Sequence, residues 1–388
     1  MATTPTAQPA TPANATNSKN SPPALMPFRG GTQPTLQADG YTNSVTLSSS
    51  NQDLPIYNPS PNNLIRAIWV QVTIAVASNT ATVAFNGDMP LGVFSSVTFA
   101  DSNEKPIVGP VDSYTIGMWN KYGGFDNCGD PRASAAYSVP SLSGGTGGSA
   151  KFVLRIPVEA VGRTGVGTLQ NQSSNSTFQL KLTANTISNI YATAPAGASG
   201  AISPTLTVQI FEEGYWRGSN SAYDSKPKAA GSTQYLTRGT YNALNGAQQV
   251  QLAQGLGYPI RTILDINYAT GSARSSADFP DPVQFLFKGS NLFNASQILW
   301  RDRISRAYDL QSETLDVANG TDTGVFVLPF MQDFTAQPGY ETGLGYLVTD
   351  PGDSFQLVGS FGASSTLYHC VNYIAPVGPP SVLQAKAS

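Results

Sequence analysis

Along residues 64–77, the apolar side chains Ile68, Val70, Val72, Ile74 and Val76 fall at every second position. That period puts them on one face of a β-strand. Ser78, Asn79 and Thr80 make a polar reversal, and residues 81–85 begin a second strand. Asn86, Gly87 and Asp88 supply the next turn, because Asn and Gly tolerate positive φ. A third strand over 93–100 closes on Asp101, Ser102 and Asn103. The pattern over residues 61–101 predicts a meander within one antiparallel sheet.

Alternation returns further along. Phe152, Leu154 and Ile156 form one set; Phe178, Leu180, Leu182 and Ala184 a second; Leu206, Val208 and Ile210 a third. Arg155, Gln179, Lys181 and Gln209 between them are expected to face outward. Later strands are expected at 250–253, 259–268, 283–288, 325–330, 345–348, 355–360 and 367–374, with a turn at Asp350-Pro351-Gly352-Asp353. Two stretches switch to helical spacing. Val111, Tyr114, Met118, Trp119 and Tyr122 predict a helix over 111–122, entered after Pro110 and stopped by Gly123 and Gly124. A second helix is expected over 295–309, capped by Asn294 or Ser296, with Trp300, Ile304 and Ala307 as its buried stripe.

These elements group into two units. Residues 1–35 are rich in Thr, Pro, Ala and Asn, with proline at positions 5, 9, 12, 22, 23 and 27, and read as a flexible arm. Ordered structure is expected from about Tyr41. A first β unit spans 36–216, a polar linker 217–232, a second β unit 233–376 and a flexible tail 377–388. The units share their order of elements without obvious sequence identity, each a set of strands interrupted by one Trp-bearing helix. The predicted fold class is all-β: two tandem eight-stranded jelly rolls, a double jelly roll, each with one short flanking α-helix.

Composition agrees with many short strands and turns. The 388 residues include 37 Gly and 28 Pro, and charged residues are 12%, against a usual ~25%. The shortage of charge has two readings. Flanks covered by neighbours need few charges, because stranded charges at an interface cost desolvation; a polar, uncharged surface of the kind secreted sandwiches carry fits equally. A net charge of −3 excludes a strong electrostatic grip on nucleic acid or acidic lipid, so no direct specific nucleic-acid binding is expected. No run reaches the ~18 apolar residues of a spanning helix, and the N-terminus lacks the basic start and apolar stretch of a secretory signal.

Candidate chemistry is sparse. His369 is the single histidine; no neighbour in sequence supplies a partner, and it reads as a strand-packed or exposed imidazole. Cys128 and Cys370 lie far apart and read as buried thiols rather than a disulfide. With so few ligands, zinc sites and histidine-based triads are nearly excluded. Glu212 and Glu213 read as a solvated strand end, Asp278 and Asp281 as turn residues, and the Gly-rich run 144–149 as a plain loop, since no Lys-Ser or Lys-Thr follows it. Arg301, Arg303 and Arg306 alternate with Asp302 and Asp309, which suits a salt-bridged exposed or interface face. Asn-x-Ser/Thr triplets at Asn14, Asn171, Asn175, Asn294 and Asn319 are expected by chance in so Asn- and Ser/Thr-rich a chain. No catalytic, cofactor-binding or metal-binding residue is assigned, and the chain is not expected to be an enzyme or to need a cofactor. A carboxylate pair for glycoside hydrolysis remains compatible with a jelly roll, as does simple sugar binding.

The ordered set of features resembles the major coat proteins of tectivirus-type bacteriophages, a double jelly-roll capsid family. The resemblance is carried by the strand over 64–77, the reversal at 78–80, the turn with Gly87, Asp88 and Pro90, Asp101 and Asn103 after the strand over 93–100, and the helix with Gly117 and Trp119. In the second half it is carried by Trp300 with Arg301, Arg303 and Arg306, and by the strands over 324–330, 344–349 and 367–374. It spans roughly residues 41–376, and individual residues match sparsely. It implies a virion coat protein, made in the host cytoplasm, that forms homotrimers of pseudo-hexagonal outline. Those tile an icosahedral shell with neighbouring capsomers, penton or vertex proteins and minor capsid proteins, over an internal viral membrane enclosing double-stranded DNA. One departure is the N-terminal arm: the family commonly has a membrane-facing helix there, whereas this arm is too proline-rich for a regular helix before about residue 28.

Overall fold

A computed structural model describes residues 32–61, 64–125, 132, 134–162, 165–171, 178–217, 232–243, 245–252, 257–269, 274–308, 322–331, 341 and 345–376. Most of the expected arm, nearly all of the linker, the tail and Cys128 lie outside those residues. Ile68, Val70, Val72 and Ile74 on the Leu64–Ala75 strand are fully buried, as the period of two requires. That strand pairs on one side with Thr205–Arg217 and on the other with Ala150–Pro157. Phe94–Ala100 belongs to a different sheet, between Gln179–Ala184 and Pro106–Val111. The expected meander is therefore wrong. Consecutive strands cross from one sheet of a sandwich to the other, and the short strands between them, Asn79–Thr82 and Ala84–Phe85, pair with Ser143–Gly145 and Tyr191–Thr193. Alternation marks a buried face but does not say which strand lies beside it.

The main strands form two jelly rolls with one topology. In the first they run Thr32–Thr46, Gln52–Asp53, Leu64–Ala75, Phe94–Ala100, Pro106–Val111, Ala150–Pro157, Gln179–Ala184 and Thr205–Arg217. In the second they run Ser232–Ala243, Gly246–Leu252, Ile260–Ala269, Val283–Phe287, Ser290–Ala295, Val325–Pro329, Phe355–Phe361 and Ser365–Pro376. Numbered within each roll, strands 1, 8, 3 and 6 make one sheet and strands 2, 7, 4 and 5 the other. Strand 5 of the first roll lies parallel to strand 1 of the second, Val108 opposite Leu236, so that two sheets fuse into one of eight strands. One apolar core runs through both rolls, from Leu47 to Ala375.

In each roll a helix joins strand 5 to strand 6. Ser113–Tyr122 starts at Asp112, whose carboxylate accepts the Thr115 amide at 2.7 Å, and stops at Gly123. Gln297–Ala307 starts at Ser296, whose hydroxyl accepts the Leu299 amide at 3.3 Å. Both caps are residue types that satisfy orphan amides of a first turn. Trp300 and Ile304 are buried as expected, but Ala307 is exposed and Tyr308 takes the third place in the stripe. A further single-turn helix, Ile187–Ile190, belongs to the first roll.

Other expectations shift. Strand 1 reaches back to Thr32, inside the stretch assigned to the arm. Residues 106–111 form strand 5, so Val111, expected as the first residue of the helix, ends a strand instead, and a second strand 5 at Ser290–Ala295 was not expected. The stretch over 345–348 makes only an isolated bridge, Leu347 to Ile260. Within strand 5 of the first roll, Gly109 has φ of +84°, and a Cβ there would lie 2.2 Å from the Val97 carbonyl oxygen. Gly109→Ala is expected to cost at least ~2 kcal/mol through forced φ and collision with backbone, read as a lower urea midpoint.

Candidate functional site: the joint between the rolls

Charge is scarce in this chain, and three ion pairs cross from one roll to the other. Lys121, on the first helix, donates to Asp322 at 2.7 Å, with side chains 4% and 2% exposed. Arg238, on strand 1 of the second roll, donates to the Asp112 cap at 3.0 Å. Arg274 pairs with the Asp88 carboxylate and lies 4.3 Å above the Tyr114 ring. Each pair takes one member from each roll.

Arg261 is the most enclosed of these cations. Its Nε and Nη2 donate to the two oxygens of Glu341 at 2.5 and 2.7 Å, and its Nη1 to Asn372 Oδ1 at 3.1 Å. Its Nη2 also crosses the joint to the Gly123 carbonyl at 2.6 Å, while the guanidinium lies 4.7 Å from the Phe125 ring. Burial alone pushes such a group toward neutrality; the Glu341 carboxylate outweighs it and holds the guanidinium charged, above its ordinary value. Neutral contacts complete the joint. Tyr308 donates to the Tyr122 carbonyl at 2.6 Å with the rings edge to face, and Thr233 and Gln234 donate to the Gly167 and Glu159 carbonyls at 2.8 and 3.0 Å. Directional bonds from a helix, its caps and a parallel strand pair fix how the rolls sit on each other.

Burial raises the phenol pKa of Tyr114, Tyr268 and Tyr308 above the ordinary value. Stability from keeping them neutral is fully present below the unfolded value of ~10. It is lost as pH rises through the folded values. The urea midpoint is expected to fall as pH climbs past ~10, with a class of phenols whose absorbance changes only on unfolding.

The residues read from sequence as candidates for chemistry form no reactive cluster among the described residues. Glu212 and Glu213 are not a solvated strand end: Glu212 is buried, and Glu213 accepts from Arg66 at 2.9 Å and from the Trp69 indole at 2.8 Å. Arg66 also pairs with Glu159, which accepts from Tyr215 at 2.9 Å. Arg155 lies 3.7 Å from Glu213 as well, so both acids are held in ion pairs with arginines. His369 does have a partner. It sits opposite Asp265 on the neighbouring strand, Nδ1 to Oδ1 at 2.6 Å, both side chains 1% exposed. Cys370 is a buried free thiol with its pKa pushed up by burial.

Arg306 makes the exposed pair with Asp302 at 2.9 Å, and Arg303 is exposed, as expected of a charged face. Arg301 instead lies half-buried 5.0 Å from the Phe326 ring; Asp309 is outside the described residues. Asp278 and Asp281 hold the turn before strand 4, accepting from Ser275 at 2.6 Å and the Gln297 amide at 3.1 Å. Part of the Gly-rich run forms the short strand Ser143–Gly145. Among the described residues, no group of three or more His, Cys, Asp or Glu could hold a metal ion, and no helix is long and apolar enough to cross a membrane.

No protein-family model and no curated protein matches the sequence. Solved structures match its fold over nearly all its length. The crystal structure of the STIV major capsid protein superposes with a TM-score of 0.62 at 13% identity, covering 92% of this chain and 100% of that one. The atomic structure of Sulfolobus Turreted Icosahedral Virus gives 0.60 at 13% identity, covering 92% and 94%. The major capsid protein P2 from bacteriophage PM2 gives 0.52 at 10% identity, covering 90% and 99%. The chain has the double jelly-roll fold of these capsid proteins.

Proposed function

We propose that this chain is the major coat protein of an icosahedral virus, a structural protein without a catalytic site. The observation that carries the reading is the joint. Two rolls of identical topology are fixed to each other by the buried Lys121–Asp322 pair, the half-buried Arg238–Asp112 pair and a parallel strand pair. An enzyme or lectin needs a cleft; a shell subunit needs a rigid tile of fixed outline. Fold alone does not assign function, but two matching rolls tied by ion pairs across their joint fit construction better than chemistry.

In the finer reading the chain assembles as homotrimers whose six rolls give a pseudo-hexagonal outline. The trimers pack with neighbouring capsomers, vertex proteins and minor proteins over the internal membrane of a double-stranded DNA phage. This rests on the resemblance together with the paired rolls. The test is mass spectrometry of purified particles from an infected culture. The reading expects this chain as the dominant protein of the particle; its presence only in the soluble fraction, outside any particle, contradicts it.

A further inference from the structure

Where strand 8 of the second roll ends, three tyrosines line up across the sheet. Tyr235 of strand 1 lies opposite Tyr373 of strand 8, with ring centroids 5.4 Å apart and planes 10° apart. Tyr258, two residues before strand 3, continues the row at 5.4 Å and 13° from Tyr373. Near-parallel rings on neighbouring strands make a cross-strand aromatic ladder. Both ends of the row are held. Lys105 of the first roll has its ammonium 5.4 Å from the Tyr235 ring. At the other end the Thr349 hydroxyl accepts the Gly257 and Tyr258 amides at 2.8 and 3.2 Å and donates to the Tyr258 carbonyl at 2.8 Å.

The row is only partly covered. Tyr235 is buried, but Tyr258 and Tyr373 are half-buried, and Val348, next to Thr349, is 71% exposed. Tyr235 donates its hydroxyl to the Pro376 carbonyl at 3.0 Å; among the described residues the Tyr258 and Tyr373 hydroxyls make no hydrogen bond. An aromatic strip with two phenol groups open to a ligand suits one class of occupant above others. A polyproline segment makes no internal hydrogen bonds, so its carbonyls are free to accept from outside donors. Its rings pack against aromatic side chains at little cost in entropy, because the extended form is already set.

Such a segment begins at the row itself. Strand 8 ends at Pro376, three residues past Tyr373, and the sequence continues Val377-Gly378-Pro379-Pro380. Gly378 is the residue type that lets a chain reverse, and consecutive prolines favour the extended polyproline form. A reversal brings Pro379 level with Tyr373, since three residues cover ~9–10 Å in either direction at ~3.1–3.3 Å each. The prolines ahead of strand 1 of the first roll, Pro22, Pro23 and Pro27, precede Thr32, which lies on a different sheet. We propose that residues 377–382 fold back over Tyr373 and Tyr258 as a polyproline strap, their carbonyls accepting from the two phenols and their apolar side chains meeting Val348. The strap belongs to the single chain and stands whether or not that chain builds a shell.

Photo-crosslinking in the full chain tests it. The photoreactive residue p-benzoylphenylalanine is placed at the exposed position of Val348, and a mixture of isotopically heavy and light chains tells bonds within a chain from bonds between chains. The expected product joins position 348 to residues 377–383 of the same chain. Pro379→Ala with Pro380→Ala, and separately Tyr258→Leu, are each expected to lower its yield several-fold with wild-type far-UV circular dichroism. The proline substitutions lie outside the sheets, so their effect is read without disturbing the core. A product to residues 1–31, a product between chains, no product, or a yield that either variant leaves unchanged overturns the inference.

Discussion

Arg261→Met is expected to lower the unfolding free energy by about 3–5 kcal/mol, the usual cost of stranding one half of a buried ion pair. Glu341, 5% exposed, is left buried without its guanidinium partner, and Asn372 and the Gly123 carbonyl each lose a donor. Methionine fills much of the same volume, so packing contributes little to the loss. The double variant Arg261→Met with Glu341→Leu is expected to recover most of it, because removing both charges also removes both desolvation penalties. Arg261→Lys is expected to fall between, since an ammonium cannot reproduce the forked pairing with Glu341. Urea unfolding of the three variants measures these differences. A single variant as stable as wild type would show that the guanidinium does not hold the joint.

Trp300→Ala is expected to cost a similar ~3–5 kcal/mol, by a different route. The indole packs among Phe285, Phe293 and Phe326, with ring centroids 6.0, 4.7 and 5.4 Å away, and its Nε1 donates to the Val327 carbonyl at 2.8 Å. Truncation leaves a cavity where the helix meets strands 4, 5 and 6 of the second roll. Trp300→Phe keeps most of the ring contact and is expected to lose only the hydrogen bond and some area, about 1–2 kcal/mol.

The sequence made the fold class legible because burial leaves a period. Ile68 to Ile74, Phe152 to Ile156 and Leu206 to Ile210 alternate, and each lies in a strand with that face inward. The two strands numbered 5 escaped for physical reasons. Pro106–Val111 carries two prolines and a glycine, and Ser290–Ala295 is a short edge strand in which no residue is fully buried. Pairing was the other loss. Whether 64–75 lies beside 94–100 or beside 205–217 depends on register between strands far apart in the chain, and nothing local encodes that.

The same limit hid the joint and the His369–Asp265 pair. Asp265 is 104 residues from His369 and Asp322 is 201 from Lys121, so neither partner is visible without the topology. Scarcity of charge was visible, and so were its two readings. At Lys121, Arg261 and Asp322 the charges lie inside the joint; the exposed edges of the outer strands carry apolar side chains such as Leu36 and Leu292 instead.

The most direct test of the coat-protein account is the mass and outline of the purified chain in solution. Sedimentation equilibrium is expected to give three times the 40.8 kDa chain mass, with a six-lobed outline in electron-microscope averages. A single 40.8 kDa species persisting at every concentration would contradict the account.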